Sequence, residues 1–315
     1  MGAALALAER ARGRSTPNPN VGCVITGDGR VVGRGWTQPG GRPHAEAMAL
    51  AEAGEAARGA TAYVTLEPCA HHSRRGPTCA DLLAEAGVTR VVAAMVDPDP
   101  RTAGEGLARL ERAGIRVELG ICADEAAQVM AGFLARQRLG RPYVTLKLAT
   151  SLDGAIALPD GRSRWITGER ARAHAHLERA KCDLIVVGAG TWAADRPALD
   201  VRLDGLTDRS PRRAVLSRDV VAAGLVHLPT PESIADDPAS WVLVEGGADA
   251  AAAFLARDLV DRLLLYRAPL LIGAGKPAIG DIGLHDLADA HGRWMLRDAR
   301  MLGSDRLEVY ERARN

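Results

Sequence analysis

The sequence predicts a two-domain α/β protein. Its 315 residues are about twice the length of a typical domain, and 47% of them are apolar, enough for two buried cores. Runs of β-prone residues alternate with helical segments in both halves, and this alternation breaks at Leu139-Gly140-Arg141-Pro142. We therefore expect one domain over residues 1–142 and a second over residues 143–315.

The first half begins with an amphipathic helix and a hairpin. Two short β-prone runs, at 21–26 and 30–35, are separated by Gly27-Asp28-Gly29, a typical hairpin turn. Helical composition, glycines that would close helices and a cap at Asp124 predict helices at 44–57, 79–86, 105–113 and 124–138. Runs of β-branched and apolar residues predict strands at 62–66, 88–96 and 115–119. A hairpin followed by β-α repeats predicts a three-layer α/β/α domain.

The second half restarts with a strand and alternates again. Its pattern predicts helices at 169–180 and 247–256 and strands at 143–149, 155–158, 183–188, 213–216, 241–244 and 261–266. Residues 203–210 and 229–240 are rich in Asp, Pro and Ser and are expected to be loops. This half is predicted to be a second α/β domain that does not repeat the first.

Charge and cysteine content narrow the class of protein. The net charge is +1, with +2 on residues 1–142 and −1 on the remainder, so neither half has the basic excess of a nucleic-acid-binding protein. Five cysteines, an odd number, argue against a disulfide framework. The N-terminal apolar run is too short for a signal peptide, and no stretch approaches the roughly 20 apolar residues of a membrane span. We expect a cytoplasmic protein that acts on a small molecule, with neither nucleic acid nor membrane as a partner.

Three residues of the first half form a candidate metal site. His44 opens a predicted helix, and Cys69 and Cys79 add two thiols. Zinc binds such a set tetrahedrally and keeps a fourth position for water. Glu46 lies in the first helical turn, where its carboxylate would reach that water rather than the metal. The pattern indicates hydrolytic deamination, in which a metal lowers the pKa of water and a carboxylate carries the proton to the leaving amine.

The spacing of the thiols leaves alternatives open. Zinc nucleobase deaminases carry the signature H-x-E…P-C-x-x-C, whereas nine residues separate Cys69 from Cys79 in this chain. If each residue is considered alone, an ordinary structural role is the alternative to metal binding. Cys69 would then be a buried thiol, and His44 would be a polar residue whose hydrogen bonds are satisfied. His71 and His72 are rival ligands, with His71 as the alternative to Cys79.

Two glycine clusters in the second half suggest a dinucleotide site. No G-x-G-x-x-G motif follows the first strand, which disfavours a Rossmann domain. Gly188-Ala189-Gly190-Thr191 follows one predicted buried strand, and Glu245-Gly246-Gly247 follows another and opens a helix. Exposed N–H groups at a helix start suit a dinucleotide pyrophosphate. Ordinary turn chemistry is the alternative for either cluster alone.

Longer motifs in both halves are more specific than these spacings. The first half contains Thr16-Pro17-Asn18-Pro19-Asn20-Val21-Gly22, Pro43-His44-Ala45-Glu46, Tyr63-Val64-Thr65-Leu66-Glu67-Pro68-Cys69-Ala70-His71-His72 and Asp97-Pro98-Asp99-Pro100. The second contains Arg141-Pro142-Tyr143-Val144-Thr145-Leu146-Lys147, Ser151-Leu152-Asp153-Gly154, Trp165-Ile166-Thr167-Gly168 and Asp195-Arg196-Pro197-Ala198-Leu199. With these motifs the chain resembles the bifunctional deaminase/reductase family of riboflavin biosynthesis. The resemblance covers nearly the whole chain and is weakest over residues 203–240.

The resemblance implies that the first domain is cytidine-deaminase-like. In it, His44, Cys69 and Cys79 would hold zinc, Glu46 would transfer protons, and Asn18 would lie near the substrate. Two features depart from the family pattern. Thr37 stands where members usually carry a histidine, and the segment between the two thiols is one residue longer than usual. These departures leave the ligand set in place and affect the expected substrate contacts.

The resemblance implies that the second domain is dihydrofolate-reductase-like and binds NADPH. Residues expected to line the NADPH site are Ala149, Trp165, Thr191, Asp195, Gly247, Ala248, Asp249, Ala250, Ala251, Ala252 and Ala253. Residues expected to contact the substrate are Lys147, Ser163, Arg179, Leu199, Arg202 and Glu245. Two of these are arginines, whose guanidinium groups can bind a sugar phosphate bidentately. Arg218 is expected to help bind the 2′-phosphate of NADPH.

The implied function is a pair of successive reactions. The first half would hydrolyse the 2-amino group of 2,5-diamino-6-ribosylamino-4(3H)-pyrimidinone 5′-phosphate. The second would deliver hydride from NADPH to the ribosyl group, reducing it to ribityl. Rival hypotheses are a nucleic-acid or nucleoside deaminase with a non-catalytic second domain, a non-enzymatic NADPH-binding protein, and an enzyme with one active half. The resemblance also implies a homodimer formed through the reductase domain.

Overall fold

The chain folds into two compact units, Met1–Gly140 (unit 1) and Arg141–Asn315 (unit 2). The structure is a computed structural model that describes residues 1–71, 76–219 and 223–314. The division between the units lies two residues before the boundary that the sequence analysis places after Pro142. Among the described residues, no helix combines the length and apolar character needed to cross a membrane.

Unit 1 consists of a mixed sheet and its helices. The helices are α1 (Gly2–Ala11), α2 (Ala45–Ala53), α3 (Cys79–Glu85), α4 (Glu105–Arg112), α5 (Ala123–Val129) and α6 (Ala131–Leu139). The strands are β1 (Gly22–Gly27), β2 (Arg30–Trp36), β3 (Thr61–Val64), β4 (Arg90–Ala93) and β5 (Arg116–Leu119). In the described residues the strand order is β2-β1-β3-β4-β5; β1 is antiparallel to both of its neighbours, and β3, β4 and β5 are parallel.

Side chains of β1 alternate between two covered faces of this sheet. Val24 packs with Ala4 and Leu7 of α1, whereas Cys23 and Ile25 belong to the larger core that includes the buried side of α2. Successive residues of a strand point to opposite faces, so helices cover both faces. This is the three-layer α/β/α arrangement that the sequence predicts.

Glycines allow the helices to approach this sheet closely. A Cβ at Gly22 would overlap the carbonyl oxygen of Ala4 in α1. A Cβ at Gly35 would overlap the carbonyl oxygen of Ala45, the first residue of α2. Because a larger residue at Gly35 would push the first turn of α2 away from the sheet, this glycine fixes the position of the helix start next to His44.

Unit 2 contains a larger sheet. Its helices are α7 (Glu169–Arg179), α8 (Ala189–Asp195) and α9 (Ala248–Ala256). Its strands are β6 (Tyr143–Thr150), β7 (Ala155–Ala157), β8 (Leu184–Gly188), β9 (Arg212–Leu216), β10 (Val226–Leu228), β11 (Trp241–Val244), β12 (Arg262–Arg267), β13 (Lys276–Pro277), β14 (Trp294–Leu302) and β15 (Asp305–Arg312). Short 3-10 helices occur in both units, at Pro39–Gly41, Gly54–Ala57, Thr207–Arg209, Pro231–Ala235 and Leu287–Ala290.

The main sheet of unit 2 has a parallel part and an antiparallel part. Over the described residues its order is β10-β9-β8-β11-β6-β12-β15-β14, in which the first six strands are parallel. The last two strands, β15 and β14, join antiparallel. All four residues of β11 are buried, as expected for a parallel strand covered on both faces. The parallel strands bring the carboxyl ends of β8, β11 and β6 to one edge, where ligands bind in open α/β sheets.

The structure corrects the sequence prediction at several elements, including four strands of unit 2 that were not predicted (β10, β13, β14 and β15). The helix predicted at 124–138 is interrupted at Met130, which is fully buried and stands between α5 and α6. Packing of this side chain into the core overrides the continuous helical pattern. The N-cap of α5 is Cys122, in the left-handed conformation, so Asp124 lies inside the first turn and is not the cap. In unit 2, residues after Gly188 form α8, a helix that the sequence analysis did not predict.

Candidate active sites

Three candidate metal ligands of unit 1 converge from separate elements. His44 is the N-cap residue of α2, Cys69 lies beyond the end of β3, and Cys79 is the first residue of α3. Nδ1 of His44 lies 3.2 Å from Sγ of Cys79 and 3.6 Å from Sγ of Cys69. The backbone N–H of Cys79 donates to Sγ of Cys69 at 3.4 Å. The three ligand atoms lie within 4.8 Å of one another.

These separations fit a tetrahedral zinc ion. Zn–S bonds of about 2.3 Å and Zn–N bonds of about 2.0 Å, meeting at tetrahedral angles, place neighbouring ligand atoms about 3.5 Å apart. Two thiolates and one imidazole are also a donor set that suits zinc. Three protein ligands leave the fourth position for water or substrate, as in catalytic zinc sites.

The rival histidines do not join this cluster in the described residues. Nδ1 of His71 lies 3.1 Å from Oγ1 of Thr102, and the grouped ligand atoms are those of His44, Cys69 and Cys79. His72 lies outside the described residues. The structure therefore favours the set that contains Cys79 over the alternative that contains His71.

Glu46 lies beside the three ligands and is buried, with 3% of its surface exposed. Burial is the main cause that raises the pKa of its carboxyl group to about 6. The charge of His44 acts in the opposite direction and lowers this pKa. The Cys79 thiol donates to Cys69, which lowers the pKa of Cys69 to about 4 and raises the pKa of Cys79. A carboxyl group with a pKa near neutrality can both accept and donate a proton.

Asn18 contacts the outer nitrogen of His44. Its Nδ2 lies 3.1 Å from Nε2 of His44 and donates to the carbonyl oxygen of Gly41, also at 3.1 Å. The resemblance implies that Asn18 lies near the substrate; the structure places this residue on the wall of a cleft and against a metal ligand.

Glu67 supports the backbone that carries Cys69, a role that the sequence analysis missed. Its buried carboxylate accepts the backbone N–H groups of Gly104, Gly106 and Leu107 at 2.9, 2.8 and 3.2 Å. These bonds satisfy N–H groups at the start of α4 that have no partner within the helix. A carboxylate two residues before a candidate ligand is the signal that would have indicated this role.

A cleft of about 440 Å³ opens onto these residues. Its walls combine the apolar ring of Phe133 with the charged side chains of Arg42 and Arg101. Thr37, which stands where the family usually has histidine, also lies on the wall. Its Oγ1 accepts the N–H of Val21 at 3.0 Å, and its own N–H donates to the carbonyl oxygen of Val21 at 2.9 Å. Thr37 therefore extends the pairing of the hairpin.

Unit 2 has a larger cleft, of about 1780 Å³. The expected NADPH and substrate residues that line it are Lys147, Ala149, Ser163, Trp165, Arg179, Thr191, Asp195, Leu199, Arg202, Arg218, Glu245, Gly247, Ala248, Asp249, Ala250 and Ala253. Ala251 and Ala252 lie apart from it; both are buried, and Ala251 belongs to the core. The sequence analysis assigned every residue from Gly247 to Ala253 to the NADPH site. A helix presents only one of its faces to a cleft, so not every residue of this run can line it.

Glu245 is a buried acid in this cleft. Arg179 donates to it from Nε at 2.7 Å and from Nη2 at 2.9 Å, and Nζ of Lys147 lies 3.8 Å from its carboxylate. Burial alone would raise the pKa of Glu245, but the bonds from Arg179 and the charge of Lys147 hold that pKa below its usual value. Lys147 also lies 5.9 Å from the ring centroid of Tyr266. The site therefore presents a fixed carboxylate beside an ammonium group.

His176 is a cleft residue that the sequence analysis missed. Its Nδ1 lies 3.1 Å from the carbonyl oxygen of Asp200 and 3.3 Å from the backbone nitrogen of Arg202. Burial, and then the charges of Arg179 and Arg202, lower the pKa of His176. It holds the segment that carries Arg202. Its position one helical turn before Arg179 is the signal that would have identified it.

The start of α9 is suited to a dinucleotide. A Cβ at Gly246 would overlap that of Ala250, so the end of β11 packs tightly on this helix. The N–H of Gly247 donates to Oγ1 of Thr191 at 3.2 Å, and among the described residues no side chain caps α9. First-turn N–H groups without a side-chain cap, on the wall of a large cleft, fit the pyrophosphate of NADPH.

Trp165 provides an exposed aromatic surface on the same wall. Its exposed fraction is 64%, and the guanidinium of Arg172 lies 4.7 Å from its ring centroid. Nη2 of the adjacent Arg164 lies 3.8 Å from the carboxylate of Asp195. A flat indole in this position fits stacking against a ring of the cofactor.

Family models match both units. Residues 1–95 match the "Cytidine and deoxycytidylate deaminase zinc-binding region". Residues 142–226 and 232–305 match the "RibD C-terminal domain". The deaminase match includes the three candidate ligands and Glu46.

Individual relatives match over nearly the whole chain. The riboflavin biosynthesis protein RibD of Escherichia coli is 41% identical, with 97% of this chain and 96% of that protein covered. RibD of Mycobacterium tuberculosis H37Rv is also 41% identical, with coverages of 98% and 95%.

Solved structures agree with these relatives. Acinetobacter baumannii RibD superposes with a TM-score of 0.88 at 36% identity, covering 99% of this chain and 97% of that one. A diaminohydroxyphosphoribosylaminopyrimidine deaminase/5-amino-6-(5-phosphoribosylamino)uracil reductase from Thermotoga maritima gives a TM-score of 0.89 at 31% identity, with the same coverages. The chain therefore belongs to the RibD family of riboflavin biosynthesis, and it joins a zinc-dependent deaminase domain to an NADPH-dependent reductase domain.

Proposed function

We propose that residues of unit 1 remove the 2-amino group from 2,5-diamino-6-ribosylamino-4(3H)-pyrimidinone 5′-phosphate, and that residues of unit 2 then reduce the ribosyl group to ribityl. The observation that carries the proposal is the cluster of His44, Cys69 and Cys79, in which both thiols are buried, with the buried Glu46 beside it. The same chain holds a cofactor-sized cleft around Glu245. The Thermotoga relative is named for both activities.

In unit 1 we assign proton transfer to Glu46. Zinc held by His44, Cys69 and Cys79 supplies the Lewis acidity that makes water a nucleophile at neutral pH. Glu46 accepts the proton of the attacking water and delivers it to the departing amine. Its burial beside the three ligands suits a group that holds a proton between these two transfers. Asn18 packs against the imidazole of His44 on the side away from the thiols.

The shape of this cleft suits a flat ring with polar edges. Leu66 and Phe133 are buried apolar residues of its wall, and they fit the faces of a pyrimidinone. Such a wall excludes water from the reacting carbon. The ring would then present its amino group to the metal ligands and to Glu46.

In unit 2 we assign cofactor binding to the start of α9 and to Trp165. NADPH supplies the hydride, and the protein contributes orientation and electrostatics. Thr191, fixed by the N–H of Gly247, shapes the wall beside the helix start. Asp195 and Ala149 lie on the same cleft and complete the expected surface for the cofactor.

The substrate residues divide into two groups. Arg179 donates two hydrogen bonds to the carboxylate of Glu245 and one to the carbonyl oxygen of Asp200. Its main role is therefore to position Glu245. Arg202, whose side chain is 62% exposed, is placed to bind the sugar phosphate. Glu245 and Lys147 would hold the ribosyl hydroxyls next to the nicotinamide, with Ser163 and Leu199 on the surrounding wall.

We further infer a cytoplasmic homodimer that acts without nucleic acid. The five cysteines are free, which fits a reducing compartment. The edge strand β14 exposes Met295, Leu296 and Met301 by 43%, 53% and 61%, and exposed apolar edge strands in soluble proteins are usually covered. Light scattering on the parent and on Leu296→Lys tests the dimer. A monomeric parent would contradict it.

The decisive experiment follows ammonia release and NADPH oxidation together. Purified, zinc-loaded protein receives the diaminopyrimidinone ribosyl phosphate, and Glu46→Ala serves as the matched variant. We expect both signals in the parent and neither in the variant, because the reductase consumes the product of the deaminase. The variant should still oxidise NADPH when it receives the deaminated compound.

Two outcomes would contradict the proposal. Ammonia release without NADPH oxidation would contradict the assignment of unit 2. Clear deamination of tRNA or single-stranded DNA, with no turnover of the ribosyl phosphate, would favour a nucleic-acid deaminase instead.

A further inference from the structure

Arg42 is a feature of the deaminase cleft that the reaction described above leaves unexplained. It lies two residues before His44, lines the cleft and is half-buried. Its Nε has no exposed surface and no hydrogen-bond partner. Folded proteins pair nearly all buried donors, and an unpaired one costs free energy. This N–H group therefore has no acceptor within the folded chain.

Other charged groups of the cleft already have partners. Nε of Arg101 donates to both carboxylate oxygens of Asp99, each at 3.0 Å. The carboxylate of Glu67 is occupied by backbone N–H groups at the start of α4. Glu46 is buried beside the metal ligands. In the described part of the chain, Arg42 is thus a cleft cation that no acidic side chain neutralises.

The guanidinium of Arg42 belongs to the cleft wall and lies beside Gly76. A Cβ at Gly76 would come within 3.2 Å of Nη1 of Arg42, so the guanidinium packs against the backbone of Gly76. A ring whose amino group faces the metal ligands has to direct its ribosyl phosphate toward one of the cleft walls. Arg42 offers an unneutralised cation on such a wall.

We propose that Arg42 binds the 5′-phosphate of the deaminase substrate and gives unit 1 its preference for the phosphorylated compound. This inference rests on the proposed function. A guanidinium binds phosphate through two parallel N–H···O bonds, and Arg42 lines the cleft that would hold the substrate. The contact is remote from the reacting carbon and is made in both ground and transition states, so it lowers KM more than it changes kcat.

The test compares two compounds on matched variants. The compounds are the ribosyl phosphate and the same molecule after removal of its phosphate, and the readout is kcat/KM for ammonia release. Arg42→Ala should lower kcat/KM for the phosphorylated compound by about 10- to 100-fold, mainly through KM, because bonds to charged groups have this strength. The value for the dephosphorylated compound should stay the same. Arg42→Lys should retain part of the preference, since it keeps the charge without the fork.

Arg101→Ala is the matched comparison, because it removes a cleft arginine that Asp99 already neutralises. It should leave the ratio of the two kcat/KM values unchanged. Zinc content and the thermal unfolding of each variant show whether the metal site is intact. An equal loss on both compounds in Arg42→Ala, or a ratio that changes with Arg101→Ala instead, would overturn the inference.

A binding measurement separates this inference from the proposed reaction. Calorimetry on the zinc-loaded Glu46→Gln protein, with and without Arg42→Ala, gives the Kd of both compounds without turnover. Any contribution of unit 2 to binding is common to both proteins. If the parent releases no ammonia, the proposed reaction fails, yet a phosphate-dependent Kd that Arg42→Ala weakens would still support the inference. Equal Kd values in the two proteins would overturn it.

Discussion

Arg179 and Glu245 form a bidentate ion pair in the reductase cleft, with side chains that are only 13% and 8% exposed. Removal of one partner from such a pair leaves an uncompensated charge away from water. Arg179→Ala should therefore abolish NADPH oxidation, leave ammonia release in place, and destabilise unit 2 by about 3 to 5 kcal/mol. The pKa of Glu245 is held low, so the stabilisation is present above the pKa of the unfolded chain and is lost as the pH falls through the folded pKa. The two assays, together with denaturant unfolding at pH 7.5 and at lower pH, measure these effects.

The pair of Arg262 and Glu178 provides the control. Arg262 donates to Glu178 at 2.8 Å, and this pair is also largely buried but does not line the cleft. Arg262→Ala should destabilise unit 2 by a similar amount while the folded protein still oxidises NADPH. Loss of NADPH oxidation in both variants would mean that Arg179 acts through stability alone.

Removal of zinc should separate the two activities. Dialysis against a chelator is expected to stop ammonia release, because His44, Cys69 and Cys79 then hold no Lewis acid. NADPH oxidation with the deaminated compound should continue, since the residues assigned to that reaction all belong to unit 2. Return of zinc should restore ammonia release, and metal analysis should give one zinc per chain. A parallel loss of NADPH oxidation would contradict the assignment of the two reactions to separate units.

Gly35→Ala should disturb the metal site without touching a ligand. The added Cβ would overlap the carbonyl oxygen of Ala45 and push α2 from the sheet, and overpacking of this kind typically costs about 1 to 3 kcal/mol. We expect a lower free energy of unfolding for unit 1 and weaker zinc binding, measured by competition with a chromophoric chelator. Gly2→Ala is the control, because nothing lies within 4 Å of a Cβ there. Unchanged zinc affinity in Gly35→Ala would show that the helix start adjusts freely.

Asp97→Asn should stabilise unit 1 in a pH-dependent way. Burial is the first cause that raises the pKa of Asp97 to about 6 from an ordinary value of 3.8. A raised pKa means that folding favours the protonated form, so the parent loses stability as the pH rises from about 4 through about 6. Asparagine removes this penalty, whose upper limit is about 3 kcal/mol for a shift of about two pH units. Thermal unfolding should show an advantage of the variant that grows between about pH 4 and about pH 6 and then levels off. A constant difference across that range would contradict the raised pKa.

Arg218→Ala should raise the KM for NADPH and leave the use of NADH unchanged. Arg218 is exposed on the wall of the reductase cleft, where a guanidinium can bind the 2′-phosphate that distinguishes the two cofactors. Steady-state kinetics with both cofactors check this expectation. Equal effects on NADPH and NADH would assign Arg218 a structural role.

The sequence predicts the metal cluster well because its residues stand at element ends. His44 at a helix start and Cys69 beyond a strand end are held by local backbone geometry, so their convergence follows once the sheet order is known. The same holds for Thr191 and Gly247, which flank one helix start in unit 2. Motifs of this kind combine a residue type with a backbone position.

Other features could not be predicted because they depend on contacts between distant segments. Glu67 and His176 act through partners that only the folded chain brings near. The strand β14 was missed because it exposes most of its residues and lacks an apolar alternation. Gly35 looks like an ordinary strand glycine until the helix that packs on it is known.

The carboxylate bonds of Glu67 have a consequence for how the metal site assembles. They tie the backbone just before Cys69 to the start of α4 through groups that no metal touches. Loss of zinc therefore releases the thiolate of Cys69 but leaves the main chain beneath it in place. The main chain on this side of the site therefore loses its conformational entropy when unit 1 folds, before zinc binds. Zinc can therefore dissociate and rebind while unit 1 stays folded, without the coupled unfolding seen in domains that only the metal holds together.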